Sequence, residues 1–364
     1  MSADLTIEQA VDVGHATLAS YRKEALQMTF NDISHELYNT WMAKAERDSG
    51  DSIKDFITLT DTGNAKMISL WEEDTHNTVN TDHEIKVDWA HATTNMDYNR
   101  IELAMNTGNK VRIYKYLTGK QLNMYREFGE LLQVKLILSP ASATDKKNPH
   151  GLASWLSLGT SGSTGAWTGY KGRYNDGSGT AYNVGTISSS ASDKPRWASY
   201  YADHQGQFGD NLLSLLGRAT RKTHFIPTML PTAVAKETGP QPFRYYSNDN
   251  VIGNLEAIAR KMDDNVGPDL AKYFGRILYK GVPFIYVSFL DSSSSYTPIM
   301  GTDPIYGVNH DFFKVRILRE NDYTLGKPTP RDGSHNILTV PLDVSLAITA
   351  TTRQRAGFLI SQHA

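Results

Sequence analysis

From Leu338 to Ile348 every second residue is apolar: Leu338, Val340, Leu342, Val344, Leu346 and Ile348 alternate without a miss. Successive side chains of a strand point to opposite faces, so this pattern specifies a strand with one apolar face. It places Val344 on that face and Ser345 on the other, toward solvent. At ~3.3 Å per residue the alternating stretch is about 35 Å long, well beyond the usual strand. A strand of that length needs an equally long helix or sheet to cover it.

The rest of the chain supplies candidates for that cover. Thr17 to Asp48 reads as one long helix, with Leu26, Phe30, Ile33, Leu37 and Trp41 on one face and Gly50 as its stop. The period then changes. Ile85, Val87 and Trp89 alternate with Glu84, Lys86 and Asp88, and "FITLT" (56–60) and "KMISLW" (66–71) read as further strand around a turn at 61–64. A second long helix is expected from about Lys110 to Leu138, carrying Tyr114, Leu117, Gln121, Met124, Phe128 and Leu131, with Pro140 just beyond it. Shorter helices begin after Asp210, an N-cap residue, and near Asn248. From residue 276 the pattern is nearly all strand, broken at Gly281. No internal repeat of solenoid length is visible.

Composition narrows the class. The chain of 364 residues is long enough for two domains, or for one large domain with arms. Its net charge of −2 lacks the basic excess of a dedicated nucleic-acid binder. No run of about 18 apolar residues marks a membrane helix, and the N-terminal residues lack the layout of a secretion signal. There is no cysteine, which removes disulfides, thiolate metal sites and cysteine nucleophiles.

The search for chemistry returns no catalytic, cofactor-binding or metal residue. "SLGTSGSTGAWTGYKGRYNDGSGTAYN" (157–183) holds seven glycines between Gly159 and Gly179. It lacks the lysine and serine or threonine of a phosphate loop, the G-x-S-x-G of a nucleophile elbow and the dinucleotide fingerprint. It reads as a flexible loop in which Trp167, Tyr170 and Tyr174 pack against something. His310-Asp311 is the most tempting catalytic pair, yet neighbours in a strand point apart. Asp263-Asp264 closes a helix before a turn. Arg218, Arg221 and Lys222 cluster at a helix end, where the dipole favours them.

The order of these parts carries a resemblance. "VDWAHATTNMDYNRIELAMN" (87–106), "KPRWASYYADH" (194–204) leading to "DNLLSLLGRATRKTHF", "SNDNVIGNLEAIARKMDDNVGPDLA", and "GVPFIYVSFLD" followed by "TDPIYGVNHDFFKVRI" resemble the major capsid proteins of tailed double-stranded DNA bacteriophages. The resemblance implies an α+β, Hong Kong 97-type capsid fold. It implies an N-terminal arm at 1–50, an extended β-hairpin loop at 51–106, a peripheral domain with a spine helix from 107–139 and 310–364, and an axial domain at 140–309. It further implies a non-enzymatic chain that forms hexamers and pentamers of an icosahedral head shell, located in the virion and assembled in the host bacterial cytoplasm. Implied partners are scaffold, portal and decoration proteins and, weakly and without sequence preference, packaged DNA. No membrane and no cofactor are implied. The alternatives are a soluble α+β enzyme of hydrolase type and a phage tail or tube protein.

Overall fold

The computed structural model describes residues 36–59, 61–73, 76, 78, 80–101, 110–140, 145–159, 168–172, 184–187, 195–223, 243–261 and 277–363. Two compact units account for them. One comprises residues up to 50, 89–135 and 315–346, and the other 51–88, 136–314 and 347–364.

The first unit is organised by the long strand, which spans Ser334–Ala350. Ala90–Asn99 lies antiparallel to it in unbroken register, from Ile337 opposite Asn99 to Leu346 opposite Ala90. Phe313–Leu318 is another neighbour, and Glu46–Asp48 pairs parallel to that strand. Leu338, Val340, Leu342, Val344 and Leu346 are buried, as the alternation requires. The opposite face departs from expectation. Ser345 is also fully buried, its hydroxyl 2.6 Å from His91 Nδ1 and accepting from Asn321 Nδ2 at 2.6 Å. A small hydroxyl with two partners satisfies a covered position that periodicity alone assigns to solvent.

The long helix spans Lys110–Ile137. Leu117, Gln121, Met124, Phe128 and Leu132 form its buried stripe; Leu131, expected inside, is 40% exposed. Phe128 meets Tyr323 edge to face at 5.9 Å, and the Tyr323 hydroxyl bonds that of Tyr38.

The first expected helix ends earlier than its pattern. Leu26, Phe30 and Ile33 lie outside the described residues. Leu37 and Trp41 are buried on a helix of Glu36–Ala43, but Glu46–Asp48 is strand and Gly50 is not the stop. Glu46–Asp48 instead takes up backbone pairing with 316–318, and side-chain pairs accompany it: Arg316 lies 3.7 Å from Glu46 and 3.3 Å from Asp48, and Arg47 pairs with Asp322 at 2.7 Å.

The second unit holds a seven-stranded mixed sheet, in the order Gly169–Gly172, Ser199–Asp203, Gly357–Gln362, Thr302–Asn309, Phe243–Ser247, Val282–Tyr286 and Leu278–Tyr279. The strand nearest the C-terminus is internal, between Ser199–Asp203 (parallel) and Thr302–Asn309 (antiparallel). Residues 347–364 fall in this unit. Helices Asp210–Thr223 and Asp249–Lys261 share one core with Tyr200, Ala202, Tyr245, Phe284, Phe358 and Ile360. Asn248 Oδ1 accepts the Val251 amide at 3.2 Å and so caps the second helix. Ser288–Tyr296, read as strand at its start, is 3-10 helix instead.

Of the glycine-rich run, Gly169–Gly172 belongs to this sheet, while 160–167 and 173–183, with Trp167 and Tyr174, lie outside the described residues. Gly159 bridges Gly172 antiparallel. A Cβ on Gly159 would stand 2.3 Å from the Tyr201 ring, and one on Gly172 would stand 2.1 Å from Ser199 Oγ. At these two positions glycine permits close approach, where the sequence suggested backbone freedom.

Arg353 holds the unit's interior together. Its buried guanidinium donates to the carbonyls of Trp155 (3.0 Å), Trp197 (2.9 Å) and Ser154 (3.1 Å) and to Ser157 Oγ (2.7 Å). Burial holds its pKa down at about 9. Nearby, burial pushes the His150 pKa down to about 4, aided by Arg353 and opposed by Asp88 and Asp145. A histidine whose folded pKa is depressed is held neutral. The stability this confers is complete above the unfolded value near 6.5 and is lost as pH falls toward 4. Between pH 7 and 4.5 the native protein is expected to lose about 2 to 3 kcal/mol more unfolding free energy than a His150→Gln variant. Urea titration at both pH values checks this; equal losses would show that His150 does not titrate on unfolding.

Candidate self-association surface

The strongest surface anomaly lies at a β-ribbon in the second unit. Ser52–Thr58 and Asp82–Asp88 pair antiparallel, from Ser52 opposite Asp88 to Thr58 opposite Asp82. Ile53, Ile85 and Val87 are buried on one face. Ile85 packs at Gly185, whose carbonyl accepts the Lys86 amide at 3.1 Å. Along the connecting segment Arg196 forks onto Asp61, one branch at 3.2 Å, and this hydrogen bonding and charge hold the Asp61 carboxyl below the usual range.

Residues 61–73 are not strand. "KMISLW" instead contains a turn: the Glu72 amide donates to the Ser69 carbonyl at 3.1 Å, and the Ser69 amide donates back to Glu72 Oε2 at 3.1 Å. Lys66 Nζ ties the segment by donating to the Glu73 carbonyl at 3.3 Å. The two central turn positions are Leu70 and Trp71, which this geometry presents outward. Leu70 is 88% exposed, Trp71 92% and Met67 99%; Ile68 and, on the ribbon, Phe56 are exposed as well. Scattered surface apolar residues are ordinary, but a contiguous group including a bare tryptophan marks a contact surface. The sequence signal is the four apolar residues among Met67–Trp71, with Ser69 and Glu72 spaced for a turn. Composition alone does not separate an exposed turn from a strand in so short a run.

The candidate chemical residues do not assemble. His310 is buried in a turn and hydrogen-bonds the Tyr246 hydroxyl at 2.9 Å, whereas Asp311 is exposed. Asp263 and Asp264 lie outside the described residues. Among the described residues no group of three or more histidines and carboxylates is placed to hold a metal ion. No described helix is long and apolar enough to cross a membrane.

No protein-family model matches the sequence, and no curated protein matches it. Solved structures do match in fold. The chain is similar to the cyanophage A-1(L) capsid asymmetric unit at 13% identity, covering 90% of this chain and 92% of that one, with a TM-score of 0.58. It is also similar to the capsid of a native GTA particle at 11% identity, covering 92% and 91%, with a TM-score of 0.49. The fold assignment rests on the first. The chain has the α+β, Hong Kong 97-type fold.

Proposed function

We propose that this chain is the major capsid protein of a tailed double-stranded DNA bacteriophage, a structural subunit that self-assembles into the icosahedral head shell. The observation that carries the reading is the apolar turn of Met67, Leu70 and Trp71, exposed at the end of a ribbon in a chain of this fold. Burying each such side chain on another copy contributes about 1.5 to 3 kcal/mol, and a closed shell repeats the contact at every subunit. The fold likeness to a phage capsid subunit supports the same reading. A charge of −2 also lets many copies meet without strong repulsion.

On this reading residues 1–50 form an N-terminal arm, 51–106 an extended loop, 107–139 with 310–364 a peripheral domain, and 140–309 an axial domain. Hexamers and pentamers make the shell, with scaffold, portal and decoration proteins attending assembly in the bacterial cytoplasm. Negative-stain microscopy of the chain co-expressed with its scaffold tests the proposal, with closed shells of uniform size expected. A small oligomer would favour an enzyme, open rods would favour a tube protein, and either would overturn it.

A further inference from the structure

The basic cluster at the end of helix Asp210–Thr223 is larger than the sequence shows. Arg218, Arg221 and Lys222 are exposed on the helix, and exposed Lys280 joins them from the turn between Leu278–Tyr279 and Val282–Tyr286. Lys280 (φ 51°) and Gly281 (φ 78°) both take left-handed backbone, as a tight two-residue hairpin turn requires. Lys280 Nζ sits over the Tyr279 ring, 5.4 Å from its centre, which fixes the ammonium's position. A Cβ placed on Gly217 would stand 3.5 Å from an Arg221 guanidinium nitrogen and 3.8 Å from Lys280 Nζ. Two cations from separate elements therefore bracket one small spot.

Nothing described neutralises this charge. None of the four side chains forms an ion pair among the described residues. The helix dipole accounts for Arg221 and Lys222 in the last turn, but not for Arg218 a turn earlier or for Lys280 on another element. The fields of Arg218 and Arg221 also reach the Tyr200 hydroxyl, which is buried without a hydrogen-bond partner among the described residues. Four unpaired cations in one patch repel one another, and a multivalent anion relieves that repulsion.

We propose that Arg218, Arg221, Lys222 and Lys280 form a contact site for the phosphates of a nucleic-acid backbone, read without regard to base sequence. Guanidinium forks and ammonium groups suit phosphate oxygens, and successive phosphates supply several charges at once. The proposal goes beyond shell formation and does not depend on it.

The test uses the full-length chain as dispersed protein, so that assembly does not enter. Binding to a fluorescent 20-base-pair duplex of arbitrary sequence is measured by anisotropy across a salt series. Four neutralised phosphates give a slope of log K against log salt of about −3 to −4. Changing all four residues to Gln should weaken binding tenfold or more at low salt and flatten the slope toward zero, with an unchanged circular dichroism spectrum. A charge-matched control changes Arg47, Lys54, Arg126 and Arg331, all ion-paired, to Gln and should bind as the native chain does. Equal loss in the control would overturn the proposal, since net charge would then explain the binding. So would a native chain that binds inorganic phosphate at millimolar concentration but shows no salt-dependent binding of the duplex.

Discussion

Replacing Arg353 by methionine is expected to destabilise the protein by about 3 to 5 kcal/mol and to abolish soluble expression at 37 °C. The guanidinium is buried and supplies the donors for three backbone carbonyls and one serine hydroxyl. Hydrogen bonds to a charged group contribute about 1.5 to 3 kcal/mol each, and acceptors left buried without donors cost a similar amount. Against this stands the cost of burying the cation, which the depressed pKa of about 9 reflects. The bonds win because the charge survives at neutral pH and all four acceptors lie within 3.1 Å. Arg353→Lys should be no better, since one ammonium cannot reproduce the fork that reaches Ser154, Trp155, Ser157 and Trp197 together. Urea unfolding of protein expressed at low temperature measures the difference. A methionine variant within about 1 kcal/mol of the native chain would show that other donors, water or the Ser157 hydroxyl on Ser154, replace Arg353 at little cost.

The double substitution Leu70→Asp with Trp71→Asp should leave the subunit folded and prevent shells from forming. Both side chains are almost fully exposed, so their loss removes little internal packing and should shift stability by about 0.5 kcal/mol or less. In an assembled contact the same change forfeits about 1.5 to 3 kcal/mol per apolar side chain and adds the desolvation of two carboxylates. The concentration needed for assembly should then rise at least about a hundredfold, which corresponds to only about 2.7 kcal/mol per contact. Sedimentation velocity with matched melting curves separates the two effects. Normal shells from the double variant would place the turn outside any contact, and a large drop in melting temperature would show that it packs within its own subunit.

Where periodicity and packing agree, the sequence was a sufficient guide. The alternation at 338–348 became the strand Ser334–Ala350, the apolar stripe at 117–128 became the helix Lys110–Ile137, and Ile85 with Val87 marked the buried face of the ribbon. These patterns persist because one face of each element is covered along its whole length. Where covering changes within an element, the pattern misled. Ser345 is as buried as Val344, so an aspartate at either position would bury a carboxylate.

The exposed apolar turn was hidden for a related reason. Five residues of apolar-rich chain can be a buried strand or an exposed turn, and only the Ser69–Glu72 hydrogen bonds decide between them. Arg353 gave no sequence signal at all, because an isolated arginine is ordinarily a surface residue. The cationic site was legible in three of its four members, but Lys280 is 58 residues from Lys222 in the chain, and only the sheet brings their elements into one unit. The sequence by itself therefore determined the long strand, the long helix, the buried face of the ribbon and an order of parts that matches one fold. Tertiary structure alone decided which faces are covered, where Glu46–Asp48 leaves the helix for a sheet, and which distant polar groups meet. Local periodicity reports the burial of one face, whereas hydrogen-bond and charge partners come from segments whose separation in sequence carries no information about their distance.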